Sequence, residues 1–139
     1  MQVRAATALG FYPNCTFRSV KKNRENGYNA EAYLNNVFEA AKDSGSDHGW
    51  TLNDHAWVGR DPEYDNTGID FLVDGQSTDG SNRGVLAFDL KTSKRGVREH
   101  ERRYDTDVIN ANDENGDLKN PLDLLDEVGE RGGWLSRFF

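Results

Sequence analysis

Apolar residues first recur with a helical period between residues 29 and 42. In NAEAYLNNVFEAAK they fall at Ala30, Tyr33, Leu34, Val37, Phe38 and Ala41, which is one face of an amphipathic helix. Asn29 suits the N-cap, since its side-chain oxygen can accept from the first free N–H groups, and Gly45 suits the C-cap. The stretch HGWTLNDHAWVG carries Trp50, Leu52, Ala56, Trp57 and Val58, enough for one or two short strands broken near Asn53-Asp54. Beyond a polar loop, TGIDFLVD predicts a strand and Asp74-Gly75 a turn. A Gly/Ser/Asp-rich loop from Gln76 to Gly84 then leads into GVLAFDLK, so that two apolar strands form a β-hairpin. From Val97 to Ile109 a thin apolar face fits a helix, NANDENGDLKN reads as a polar loop, and PLDLLDEVGER predicts a short helix with Pro121 in its first turn. Helices alternating with strands place the chain in the α/β class, with a mixed central sheet of about four or five strands flanked by helices. The domain is expected over residues 29–128, preceded by a mostly irregular segment, 1–28, and followed by a tail, 129–139.

Composition narrows the picture. A chain of 139 residues fits one domain. No stretch approaches the roughly 18 apolar residues that span a bilayer, so a soluble, cytoplasmic protein with no membrane partner is expected. Cys15 is the lone cysteine, and His48, His55 and His100 are scattered, so neither a disulfide nor a zinc site is expected and the histidines read as ordinary polar or partly buried side chains. The formal charge of -7 runs against the cationic surplus usual in proteins that handle polyanions. Aspartates outnumber glutamates and arginines outnumber lysines, a bias that resembles the acidic, salt-tolerant surfaces of halophilic archaeal proteins. Locally the balance reverses: from Lys91 to Arg103, counting His100, seven basic side chains stand against two glutamates.

The hairpin carries the chemistry. Asp89 and Lys91 sit at i and i+2 of a strand and leave the same face, while Leu90 points the other way. An acid and a lysine on an otherwise apolar strand are costly to bury unless they pair or bind something. Asp70 lies on the neighbouring strand among Ile69, Phe71, Leu72 and Val73, so two carboxylates can converge. Like charges at such range raise each other's pKa unless a cation lies between them, and an oxygen-only pair suits Mg²⁺ or Mn²⁺.

Gly68-Ile69-Asp70, followed after the loop by Phe88-Asp89-Leu90-Lys91-Thr92-Ser93, resembles the Asp…(Asp/Glu)-X-Lys signature of the PD-(D/E)XK, or restriction-endonuclease-like, nucleases. Glu31 in the first helix matches a glutamate that completes the metal site in many members, including archaeal Holliday-junction resolvases. The resemblance spans roughly residues 27–93 and implies a restriction-endonuclease-like fold and a Mg²⁺- or Mn²⁺-dependent DNA endonuclease of recombination, replication or repair, usually a homodimer. In that reading Asp70, Asp89 and the backbone carbonyl of Leu90 hold the metal, with Glu31 direct or through water, and Lys91 orients and helps deprotonate the attacking water. Lys94, Arg95 and Arg98 are the candidates for DNA phosphate contacts. Ile69 stands where the family's name has proline, and Asp89 where glutamate is more frequent. His100-Glu101-Arg102-Arg103-Tyr104 is similar to the Gln-X-X-X-Tyr element of RecB-type nucleases but lacks its Gln, and it receives no role.

The chain closes on Gly132-Gly133-Trp134-Leu135-Ser136-Arg137-Phe138-Phe139. Leu135, Phe138 and Phe139 resemble the box by which archaeal replication and repair enzymes bind the sliding clamp PCNA, with Gly132 in place of its usual glutamine. A tail folded onto its own core, or closing a dimer, is the alternative. Two other readings of the whole chain also stay open: a catalytically silent nuclease fold serving as a DNA- or clamp-binding adaptor, and a defence or toxin nuclease.

Overall fold

The computed structural model describes residues 20–22, 24, 29–64 and 66–135. Helix α1 (Ala30–Asp43) opens as the sequence predicts, with the Asn29 side-chain oxygen accepting from Glu31 N at 3.0 Å and Ala32 N at 3.3 Å. Its Tyr33, Leu34, Val37, Phe38 and Ala41 are buried. The C-cap falls on Ser44, one residue before the glycine expected there.

Strand β1 (Thr51–Trp57) is continuous. The break expected near Asn53 is instead a bulge, where the register passes from Leu52↔Gly75 to Asp54↔Asp74. Strands β2 (Phe71–Gln76) and β3 (Arg83–Lys91) form the expected hairpin, but the reversal is not at Asp74-Gly75. Both residues lie inside β2. Arg83 Nη2 pairs with Asp74 Oδ2 across the strands at 3.1 Å, and a Cβ on Gly75 would meet the Trp134 ring at 2.5 Å, so the glycine serves close packing. The chain turns between Ser77 and Asn82, where Asp79 accepts from the Ser77 hydroxyl at 2.8 Å and from Ser81 N at 3.0 Å.

The helix expected over 97–109 is corrected in both directions. Helix α2 (Lys94–Arg103) begins earlier, because Ser93 Oγ accepts from Gly96 N at 3.0 Å and caps it. The residues after it form strand β4 (Asp107–Asn110), paired parallel to β3 with Ile109 opposite Leu90. Two β-branched residues, Val108 and Ile109, thereby fill the next place in the sheet and are buried. Helix α3 (Pro121–Gly132) has Pro121 in its first turn, as expected, behind an Asn120 cap. The result is a mixed four-stranded sheet in the order β1-β2-β3-β4, with β3, α2 and β4 making a crossover between parallel strands.

Strand alternation assigns the two faces. Phe71, Val73, Leu86, Phe88, Leu90 and Ile109 enter one core with the buried sides of α1 and α3. Trp50 and Trp134 close its end, their ring centroids 5.3 Å apart. The fold thus runs past residue 128: α3 ends at Gly132, and Trp134 and Leu135 are only 1% and 4% exposed. Leu135 is therefore a core residue, which corrects its reading as a free plug for a clamp pocket. Phe138 and Phe139 lie outside the described residues. No described helix is long and apolar enough to cross a membrane.

Candidate active site

With Phe88 and Leu90 committed to the core, Asp89 and Lys91 are left on the opposite face of β3. Asp70 immediately precedes β2, and its N–H donates to Phe88 O at 2.9 Å. The β2–β3 ladder ends at Phe71↔Phe88, and Asp70 lies at that end, next to Asp89. The Leu90 N–H donates to both, at 2.9 Å to Asp70 Oδ2 and 3.1 Å to Asp89 Oδ1, so these two oxygens lie within about 6 Å of each other. The carboxyls themselves hydrogen-bond. Lys91 Nζ lies 3.2 Å from Asp89 Oδ2. In an antiparallel ladder a residue's N–H and C=O leave the same side of its strand, so the Leu90 carbonyl shares this edge.

Glu31 comes to the same place from the first turn of α1. Its Oε1 accepts from Trp57 Nε1 at 2.9 Å, and Arg60 covers the Trp57 ring at 5.1 Å. A Cβ added at Gly59 would sit 2.5 Å from Glu31 Oε1 and 2.6 Å from Asp70 Oδ1. These oxygens therefore face one another across no more than about 5 Å, over a gap that only a glycine leaves open.

Electrostatics divides the two aspartates. Burial pushes Asp70 up to about 8, the hydrogen bond with Asp89 adds to this, and the charges of Glu31 and Asp89 reinforce it against the Leu90 N–H. Burial acts on Asp89 in the same sense, but hydrogen bonds from Asp70, Lys91 and His100, with the Lys91 charge, outweigh it and hold Asp89 below the usual carboxylate range. The two shifts run in opposite directions, Asp70 up and Asp89 down, so the pair favours sharing one proton.

His100 is the partner that sequence reasoning missed. Its side chain is 0% exposed, with Nδ1 2.9 Å from Asp89 Oδ2 and Nε2 2.9 Å from the Thr106 carbonyl oxygen. The spacing Gly96, His100, Arg103 marks the face of α2 that meets the acids, and these residues line a cavity of about 240 Å³ with Asp70, Asp89 and Lys91. That helical stripe was the available signal, hidden because the helix start and the crossover to β4 were not legible. His55 does behave as a structural residue: burial, then the Lys42 charge, drives it down to about 3, and Asn35 Oδ1 lies 2.8 Å from its Nε2.

The predicted phosphate contacts are less central. Lys94, Arg95 and Arg98 are exposed on α2 but are not among the described residues lining the acid cavity, whereas Arg103 is. Arg95 Nε is held by Glu99 Oε1 at 3.1 Å, and Lys94 lines a neighbouring cleft with Ser93 and Asn112.

Two carboxyls sharing a proton beside a lysine can exchange that proton for a cation. Among the described residues no three acid, histidine or cysteine side chains already enclose an ion-sized space. The chain matches no family model, no curated protein and no solved structure, so the geometry alone carries the functional reading.

Proposed function

We propose that this chain is a divalent-metal-dependent phosphodiesterase acting on DNA, similar to the PD-(D/E)XK nucleases and their resolvase-like members. The observation that carries the reading is the convergence of Asp70 and Asp89 from paired strands into one hydrogen-bonded pair, with Lys91 Nζ 3.2 Å from Asp89. The mixed sheet, the flanking helices and a site at the end of the hairpin strands agree with a restriction-endonuclease-like fold.

The donor set fits Mg²⁺ or Mn²⁺. Asp70, Asp89 and the Leu90 carbonyl offer hard oxygen ligands, and the space that a Gly59 Cβ would fill lies between Asp70 and Glu31. Such an ion supplies Lewis-acid stabilisation of charge on the phosphoryl oxygens and lowers the pKa of water. The chain's own groups do the rest. Asp70 and Asp89 would hold the ion, and Glu31 is oriented toward it by the Trp57 indole N–H. Lys91, 38% exposed on the cavity wall, is placed to hydrogen-bond the attacking water or a phosphoryl oxygen. Arg103, on the same rim, offers a cation to the backbone of a bound strand. Local positive groups thus answer the net charge of -7, and high salt screens the remaining repulsion.

The direct test is incubation with supercoiled plasmid, branched DNA and single strands at high salt, with Mg²⁺, Mn²⁺ or EDTA. Cleavage that needs the metal and disappears in Asp89→Ala and Lys91→Ala supports the reading. DNA affinity without any metal-dependent cleavage refutes it in favour of a silent adaptor.

A further inference from the structure

We propose that His100 is a positioning residue that turns one chosen oxygen of Asp89 toward a divalent cation; this rests on the metal-dependent reading above. The ring spans two fixed points. A carbonyl oxygen can only accept, so Nε2, 2.9 Å from Thr106 O, carries a hydrogen and donates. Nδ1 lies 2.9 Å from Asp89 Oδ2, a carboxylate oxygen that accepts, so Nδ1 carries a hydrogen as well and both ring nitrogens donate. The far end is anchored in turn, because Thr106 Oγ1 donates to Gly68 O at 2.9 Å, in the loop that leads into Asp70. His100 therefore ties the mounting of one aspartate to the backbone beside the other.

The consequence concerns which oxygen is spoken for. Asp89 Oδ2 is held from two sides, by His100 and by Lys91 at 3.2 Å. Asp89 Oδ1 lies beside Leu90 N, which also reaches Asp70. It is this second oxygen that remains for a cation shared with Asp70. Of the two groups that hold Oδ2, Lys91 is a long, flexible chain 38% exposed, whereas the His100 ring is completely buried and cannot follow a rotating carboxylate. Losing an outer hydrogen-bond partner of this kind typically weakens metal affinity by about 10–100-fold. A purely structural strut makes a different demand: its loss lowers the melting temperature and leaves the affinity of the folded protein unchanged.

Two substitutions separate the ring's ends. His100→Asn keeps an N–H donor near the position of Nδ1, toward Asp89, while His100→Gln places its donor near Nε2, toward Thr106; both retain a polar side chain, so the pocket is not left empty. Mn²⁺ binding to the full chain is measured by calorimetry and by the electron-paramagnetic signal of the free ion, with circular dichroism to count folded protein. The expected result is Asn within about threefold of wild type and Gln weaker by about 10–100-fold. Equal Mn²⁺ affinity in wild type, Asn and Gln overturns the proposal and leaves the nuclease reading standing, as does an Asn variant weakened as much as Gln. A wild type that binds no Mn²⁺ removes the metal-dependent reading, and the role of His100 goes with it.

Discussion

Asp70→Asn is expected to make the metal-free protein more stable in alkaline solution while removing its metal binding. The substitution copies the neutral form of Asp70: the amide oxygen can still accept from Leu90 N, now 2.9 Å from Oδ2, and the amide N–H can donate to Asp89 as the shared proton does. In wild type the folded chain holds a proton on Asp70 up to about 8, whereas the unfolded chain releases it near the ordinary 3.8. The folded state therefore binds more protons across that interval, and its stability falls as pH rises through it. At about 1.4 kcal/mol per pH unit the ceiling is about 6 kcal/mol. Asp70 borders an open cavity, so water and the Lys91 charge screen much of this, and about 1–3 kcal/mol is expected. At this chain length that corresponds to roughly 4–12 °C in melting temperature. Thermal unfolding in EDTA at pH 5, 7 and 9 reads it directly: the gap is smallest at pH 5, wider at pH 7 and complete at pH 9, above the folded-state value. Saturating Mg²⁺ restores wild type at pH 9, by about 2.7 kcal/mol at a hundred times its dissociation constant, and leaves the variant unmoved. A variant no more stable than wild type at pH 9, or a gap that ignores pH, refutes the shared-proton account.

Gly59→Ala puts a methyl group 2.5 Å from Glu31 Oε1 and 2.6 Å from Asp70 Oδ1. Mn²⁺ affinity and cleavage are expected to drop at least about tenfold with little change in melting, since the carboxylates must swing away while the core is untouched; unaltered affinity argues that no ion sits between those oxygens. Trp134→Ala should cost about 3–5 kcal/mol, because the ring is 1% exposed against Trp50 and Gly75. Denaturant unfolding measures that loss, and a near-neutral result contradicts the inclusion of the tail in the core.

Much was legible in the sequence where local chemistry dominates. The cap of α1, its apolar stripe and Pro121 at the head of α3 each act within a turn of the chain, so residue types alone specify them. Alternation placed Asp89 and Lys91 on one face, because β side chains repeat with a period of two. The hairpin brought Asp70 next to Asp89, although the position of its turn depended on a cross-strand pair, Arg83 with Asp74, that no local pattern announces.

What only the tertiary structure decided are contacts made across the sheet. β4 is a strand because β3 offers a free edge on which Val108 and Ile109 can be buried, not because four residues have strong intrinsic preference. That pairing carries α2 back across β3 and delivers His100 to Asp89, a meeting of residues eleven apart that neither helical nor strand periodicity relates. The burial of Trp134 likewise follows from a gap above Gly75 that forms only once the sheet is assembled. The sequence by itself determined which side chains could do chemistry. The three-dimensional arrangement determined which share a proton, because that depends on distances of a few ångströms between separate strands.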